Sequence, residues 1–224
     1  MMQELGYDRF GAHGGDSGAF VSAQLSQAHA NRLIGAHLTY PSLLDPAAVF
    51  SRDDFYADEV EAFDRQRDPM SNMTHFLVHM LEPQTLGWAL QDSPVGLASW
   101  MLQRRAAWSD CGGDVESRFT KDELITGFAL YWLTGTVSSS LRFYADSFRE
   151  PWQPSHDRKP TLQVPTGIAV FPRELSHVPR SVAEKHANLA HWTPMPSGGH
   201  FAPMEEPELL VRDIRDFFWP LRVP

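Results

Sequence analysis

The ten residues Gly11–Phe20, GAHGGDSGAF, constrain this chain more than any other stretch. A short apolar run, RFGAHG, meets a glycine cluster and then an alanine-rich segment from Gly18 to Ala30, which is the order strand, sharp turn, helix. A side chain at such a turn stands on strained backbone at the top of a sheet. The residues two before and two after it must be small so that helix and strand do not collide. Centred on Asp16 the frame reads Gly14-Gly15-Asp16-Ser17-Gly18, with glycine at both places; centred on Ser17 it ends in Gly18-Ala19, allowed but poorer. The frame favours Asp16 as a nucleophile and leaves Ser17 open. The bland alternative is a helix cap, since Asp and Ser are both preferred there.

The remaining pattern predicts an α/β chain with a helical insertion. RLIGAHLTY reads as the next strand, so residues 1–44 carry the texture of a parallel sheet. Residues 45–154 change character. VEAFDRQ, THFLVHML, GLASWMLQRRAAW and ELITGFALYWLTGTVSSSLRFYADSF space their apolar residues at helical intervals, and the aromatic stripe Trp100, Trp108, Tyr131, Trp132 and Phe143 reads as the core of that zone, part of it lining an apolar pocket. From 155 to 224 the α/β texture resumes, with strand TGIAVF, a helix around SVAEKHA, strand LAHWTPM and a terminal helix EPELLVRDIRDFF opened by proline. The expected domains are a discontinuous core, 1–44 with 155–224, and a helical lid, 45–154. GDSG also echoes chymotrypsin-like proteases, but helical and α/β flanks contradict a β-barrel. His13-Gly14-Gly15 mimics a lipase oxyanion motif, yet it runs directly into the turn.

Composition narrows the ligand. A formal net charge of −9 leaves no basic footprint for nucleic acid or an anionic membrane, so a small neutral or cationic ligand is expected. The single cysteine, Cys111, excludes an internal disulfide and favours a reducing compartment. The opening MMQELGYDRF shows no basic n-region or apolar h-region, and no run of the chain is apolar enough to span a bilayer; the cytoplasm is the expected location. His75 and His79 share a helix face with Glu82 following, but the zincin pattern requires Glu directly after the first histidine and Phe76 stands there. No metal and no cofactor are expected.

A turn nucleophile needs a base on a late loop, and Ser197-Gly198-Gly199-His200-Phe201 lies between the last strand and the last helix. The orienting acid belongs after the preceding strand, where GIAVFPREL supplies Glu174. The structural alternatives are a turn histidine and a surface charge.

GYDRFGAHGGDSG, DSPVGLASW, YWLTGTVSSSLRFY, VPTGIAVFPREL and GGHFAPMEEPELL, in that order, resemble the epoxide hydrolases of the α/β-hydrolase superfamily, in particular the microsomal-type branch and its bacterial relatives. The resemblance implies the second half of a mostly parallel α/β-hydrolase sheet with a helical lid, and a small apolar epoxide and water as substrates. It places the nucleophile on Asp16, the charge-relay acid on Glu174, the water-activating base on His200, an oxyanion donor on the Ser17 backbone N–H, and one of two lid tyrosines on Tyr144. At the second lid position the alignment through Pro83 puts His75, a departure that makes a different acid there. The family's His-Gly-x-Pro loop and the strands before the turn are also missing from these 224 residues. The resulting expectations are weak turnover and self-association through an exposed sheet edge. An esterase using Ser17, a haloalkane dehalogenase using Asp16 and a non-catalytic remnant are the alternatives.

Overall fold

A computed structural model describes residues 1–44, 50–64 and 69–222, which divide into two compact units, Met1–Gln66 with Pro154–Pro224 and Arg67–Gln153. In the first unit four strands form one parallel sheet in the order β1-β2-β3-β4: β1 Phe10–Gly14, β2 Leu33–Leu38, β3 Leu162–Val170 and β4 Ala187–Pro194. Helix α1 (Ser17–Ala28) joins β1 to β2. Five residues of β2 are buried, as expected of a parallel strand covered on both faces.

Side chains alternate across the pleat, and each face has its own cover. Ala12, Leu33, Ala36 and Val164 form a core cluster against Leu25 of α1. The intervening residues Gly35, His37 and Gly167 face the terminal helix, whose Phe217 lies so close that a Cβ at Gly35 or Gly167 would meet its ring at 3.0 or 2.8 Å.

That second face carries a row of histidines. Register aligns His13, His37, Gly167 and His191 across the four strands. Asp213 reaches down to both flanks of Gly167, accepting from His37 Nε2–H at 2.8 Å and from His191 Nε2–H at 2.7 Å. His37 meets His13 through their Nδ1 atoms at 3.0 Å. Burial acts on Asp213 to raise its pKa, but the hydrogen bonds from His37, His191 and Thr193 prevail and hold it below the usual carboxylate range.

Residues 50–64, expected in the helical zone, pack instead with the α/β unit. Tyr56 Oη donates to Glu184 at 2.8 Å, Ser181 Oγ to the Asp54 carbonyl at 2.9 Å, and Arg180 N–H to the buried Glu59 carboxylate at 3.1 Å. These polar ties explain the difference: the segment is docked by side-chain hydrogen bonds, which helical spacing does not report. The expected boundary itself, residue 45, lies outside the described residues. The segment includes α2 (Val60–Asp64).

The second unit is helical: α3 Pro69–Leu81, α4 Pro83–Asp92, α5 Pro94–Trp108, α6 Lys121–Leu133 and α7 Val137–Arg149. Ser93 caps α5 by accepting from Gly96 N–H at 3.0 Å, and Thr120 with Glu123 closes a capping box on α6. The run ELITGF to RFYADSF is two helices, because Gly135 takes φ +67° between α6 and α7. The aromatic stripe divides as well. Trp108 is buried and Trp100 and Trp132 pack on the Leu90, Leu97, Val137, Leu141 core, whereas Tyr131 and Phe143 are 40% and 56% exposed and are not core. Their positions fall off the packed face of α6 and α7. The first unit is completed by α8 (Arg180–His186), α9 (Ala202–Glu205) and α10 (Pro207–Phe218), the helix that carries Asp213 and Phe217. No helix among the described residues is long and apolar enough to cross a membrane.

Removing Asp213 would leave the imidazoles of His37 and His191 facing an empty site in the core. Asp213→Ala is expected to destabilise the α/β unit by about 3–5 kcal/mol, the scale of breaking a buried hydrogen-bonded pair from one side. Urea titration followed by tryptophan fluorescence measures this; a change under about 1 kcal/mol would show that the row contributes nothing beyond packing.

Candidate active site

The site is assembled from three loops at the carboxyl ends of the strands. The first is the turn between β1 and α1, where Asp16 has φ 46° and ψ −127°, the one positive φ of a non-glycine residue among the described residues. Gly14 makes this turn feasible: a Cβ there would collide with the carbonyl of Gly18. Gly15 is held as tightly by the Thr39 hydroxyl. Gly18, the other glycine of the frame, acts differently from expectation. A Cβ on Gly18 would meet no atom within 4 Å; what Gly18 contributes is the backbone on which Gly14 lies.

The second loop carries His200, between β4 and α9. Gly198 takes φ +104° and lies against Phe171, and Ser197 Oγ donates to Glu206 at 2.7 Å to fix the loop on the helix beyond. The third follows β3 and carries Glu174. Arg173 N–H donates to the Gly198 carbonyl at 3.1 Å, so the last two loops are tied together directly.

These loops bring three of the expected residues into one line. His200 Nδ1–H donates to Glu174 Oε1 at 2.6 Å and Nε2–H donates to Asp16 Oδ2 at 3.3 Å. Glu174 and the His200 ring are buried, with side-chain exposures of 4% and 6%, whereas the Asp16 side chain is 60% exposed. Burial by itself would lower the His200 pKa, but Glu174 first and then Asp16 outweigh it and push the pKa up to about 10. The Asp16 carboxyl is held below the usual range, first by its hydrogen bond from His200, with the Ser17 backbone and hydroxyl adding to it. At neutral pH the resting site is therefore an imidazolium between two carboxylates. The Ser17 hydroxyl turns toward Asp16 Oδ1 at 3.4 Å.

Within the helical unit, Tyr144 of α7 and His75 of α3 are neighbours, their rings edge-on with centroids 5.6 Å apart. His75 is buried and also lies 4.5 Å from the Trp108 ring. His79, one turn on, packs 4.8 Å from Tyr144 and accepts the Trp100 indole N–H at its Nε2, 3.1 Å away. Burial, with His75 and Arg104 close by, lowers the His79 pKa to about 4, so this ring stays neutral.

Known proteins are similar to this chain in sequence and in chain path. A protein of Stigmatella aurantiaca (strain DW4/3-1) assigned as an epoxide hydrolase is 36% identical over 223 residues, covering 99% of this chain and 49% of that protein. Epoxide hydrolase 1 of Sus scrofa is 32% identical over 237 residues, covering 97% of this chain and 52% of that protein. Among solved structures, the juvenile hormone epoxide hydrolase of the silkworm Bombyx mori superposes with a TM-score of 0.79 at 25% identity over 99% of this chain and 57% of that one. The Aspergillus niger epoxide hydrolase gives 0.79 at 26%, over 99% and 55%. The chain is a relative of the epoxide hydrolases. Its fold is that of the α/β-hydrolases, and it spans about half the length of the curated relatives it matches. No protein-family profile matches it.

Two features of this epoxide hydrolase relative were not read from its sequence. Tyr40, just past β2, presents its ring edge-on to His200 at 6.1 Å. His177 donates from Nε2 to the Phe171 carbonyl at 3.0 Å beneath the Glu174 loop. The only sequence signal for either was an aromatic or histidine near a strand end, a pattern too common to single out.

The charge state of His200 is directly measurable. Its folded pKa near 10 lies above the unfolded value of about 6.5, so its contribution to stability is complete below about pH 6.5 and lost as pH rises through 10. Side-chain nitrogen NMR should find His200 doubly protonated from pH 6 to 8. In Asp16→Asn and in Glu174→Gln its pKa should fall; titration near 6.5 in the unmodified chain would contradict the two-carboxylate arrangement.

Proposed function

We propose that this chain carries the nucleophile, base and orienting acid of an epoxide hydrolase, and that it opens small apolar epoxides to vicinal diols. The observation that carries the reading is the placement of Asp16 on a positive-φ turn with its carboxylate on His200 Nε2, while His200 Nδ1 is engaged by Glu174. An ionised carboxylate displaces at carbon without prior activation, which suits an epoxide and not an ester substrate. What supports Asp16 over Ser17 is the direction of the hydroxyl: Ser17 bonds to Asp16, and the histidine faces the carboxylate.

In the first step an Asp16 oxygen bonds to an epoxide carbon and the ring C–O bond breaks. Tyr144, with His75 beside it in the lid, supplies the proton to the released oxygen, leaving a hydroxyalkyl ester. Forming the ester removes the Asp16 charge. His200 thereby loses one of the two carboxylates that hold its proton, releases that proton to solvent, from which the tyrosinate regains one, and becomes a neutral base. In the second step His200 takes a proton from water and the hydroxide adds to the ester carbonyl, whose oxygen is received by the Ser17 backbone N–H. Collapse releases the diol and restores Asp16 as carboxylate and His200 as imidazolium. The site thus has a built-in order, since the base is unavailable until the nucleophile has reacted.

The lid role of residues 67–153 and the self-association of the chain belong to the same proposal. Among the described residues β1 pairs with β2 alone, and Gly11 and His13 on it are exposed. Its other edge offers unpaired N–H and C=O groups to a second chain.

Incubation of the chain with styrene oxide, followed by peptide mass spectrometry, should place an adduct on Asp16, absent in Asp16→Ala and retained in Ser17→Ala. His200→Gln should accumulate that ester, since loss of a general base slows the second step roughly 10²–10⁴-fold. Tyr144→Phe should instead slow adduct formation. A serine adduct, or no accumulation in a His200→Gln protein that still reacts, would contradict the assignment. Sedimentation velocity should show association of the chain that His13→Lys, on the exposed side of β1, weakens; a monomer at high concentration would remove the edge from the proposal.

A further inference from the structure

His177 is 5% exposed, and no step above uses it. Its Nε2 lies 3.0 Å from the carbonyl oxygen of Phe171. A carbonyl only accepts, so Nε2 bears a proton, and in the neutral ring Nδ1 is then the bare nitrogen. Burial lowers the His177 pKa, which keeps that tautomer, although Phe171 and Glu174 act in the opposite direction.

The oxygen that His177 holds also serves Glu174. Glu174 N–H donates to the same Phe171 carbonyl at 3.2 Å. One fully buried acceptor therefore gathers the residues three and six positions on, closing the loop around the acid. Glu174 Oε1 meanwhile accepts from Leu175 N–H at 2.7 Å and from His200 Nδ1–H at 2.6 Å. No helix or strand lies between Val170 and Arg180, so the loop's shape rests on these bonds, on the Arg173 to Gly198 bond and on the prolines at 172 and 179. A hydrogen bond of 2.6 Å is at the short end of its range, and a displaced loop would lengthen it at once.

We propose that His177 is a positioning residue: its Nε2–H anchors the Phe171 carbonyl and through it the Glu174 loop, so that Glu174 meets His200. The proposal rests on Glu174 and His200 being the orienting pair, and it acts on geometry, with His177 touching neither nucleophile nor substrate. The groups that set the His200 proton are Glu174 and Asp16; His177 enters only by where it puts Glu174.

The experiment is side-chain nitrogen NMR of the chain and two variants. In the unmodified protein His177 should show the Nε2–H tautomer with Nδ1 unprotonated from pH 6 to 8. His177→Phe keeps an aromatic ring and removes the donor; with circular dichroism unchanged, the His200 pKa should fall by about one unit, a tenfold shift in its proton equilibrium. His177→Gln, which restores an N–H, should return most of that shift. An Nδ1–H tautomer, an unshifted His200 in His177→Phe, or equal shifts in Phe and Gln variants would overturn the proposal. Should the Phe variant fail to fold, the tautomer and the Gln variant decide it. Styrene oxide labelling of Asp16 runs in parallel: absent labelling with the NMR results intact would refute the epoxide reading and leave the positioning role standing.

Discussion

Two backbones approach each other at Gly14 and Gly18 more closely than any side chain would permit, and the rest of the site depends on that approach. It lets α1 start directly on the end of β1, forces Asp16 into a conformation other residues avoid, and lifts its carboxylate clear of the sheet. The side chain is left 60% exposed while its histidine partner is nearly buried. An alanine at Gly14 would move the helix, and with it the nucleophile, relative to loops anchored on β3 and β4.

The same unit contains two arrangements of imidazole and carboxylate with opposite composition. Near the strand ends one imidazole lies between two carboxylates, and the ring is driven to a pKa near 10. On the face under α10, Asp213 lies between two imidazoles, and it is the carboxyl that is held in its charged form. Burial opposes charge in every case; the count of partners decides which group keeps it. The first arrangement is open at Asp16 and loses a carboxylate when Asp16 is consumed, so its balance can change during a reaction. The second is enclosed by Phe217 and the sheet and has no comparable way to change.

Strand, turn and helix order was legible because period and glycine placement are local properties. RFGAHG, RLIGAHLTY, TGIAVF and LAHWTPM each contain or overlap a strand, and the glycine frame by itself singles out Asp16. His200 and Glu174 were legible for a related reason: a parallel sheet puts its functional loops at the carboxyl ends of its strands, so chain order alone names the candidates. Residues 50–64 were misassigned because their docking is by Tyr56, Asp54 and Glu59 to α8, contacts about 120 residues apart in sequence. Tyr131 and Phe143 were misread as core because periodicity states which residues share a face and leaves open what covers it.

The sequence by itself determined that this is an α/β chain with a helical insertion, and that an acid stands at its glycine turn. These follow from steric rules acting within a few residues. Only the tertiary structure decided that Glu174 comes within 2.6 Å of His200, that the histidine rests as a cation, that Gly18 serves through its carbonyl, and that His177 closes the acid loop from below. Each of these depends on distances between segments that meet only when the sheet has formed, and on the water that its formation removes.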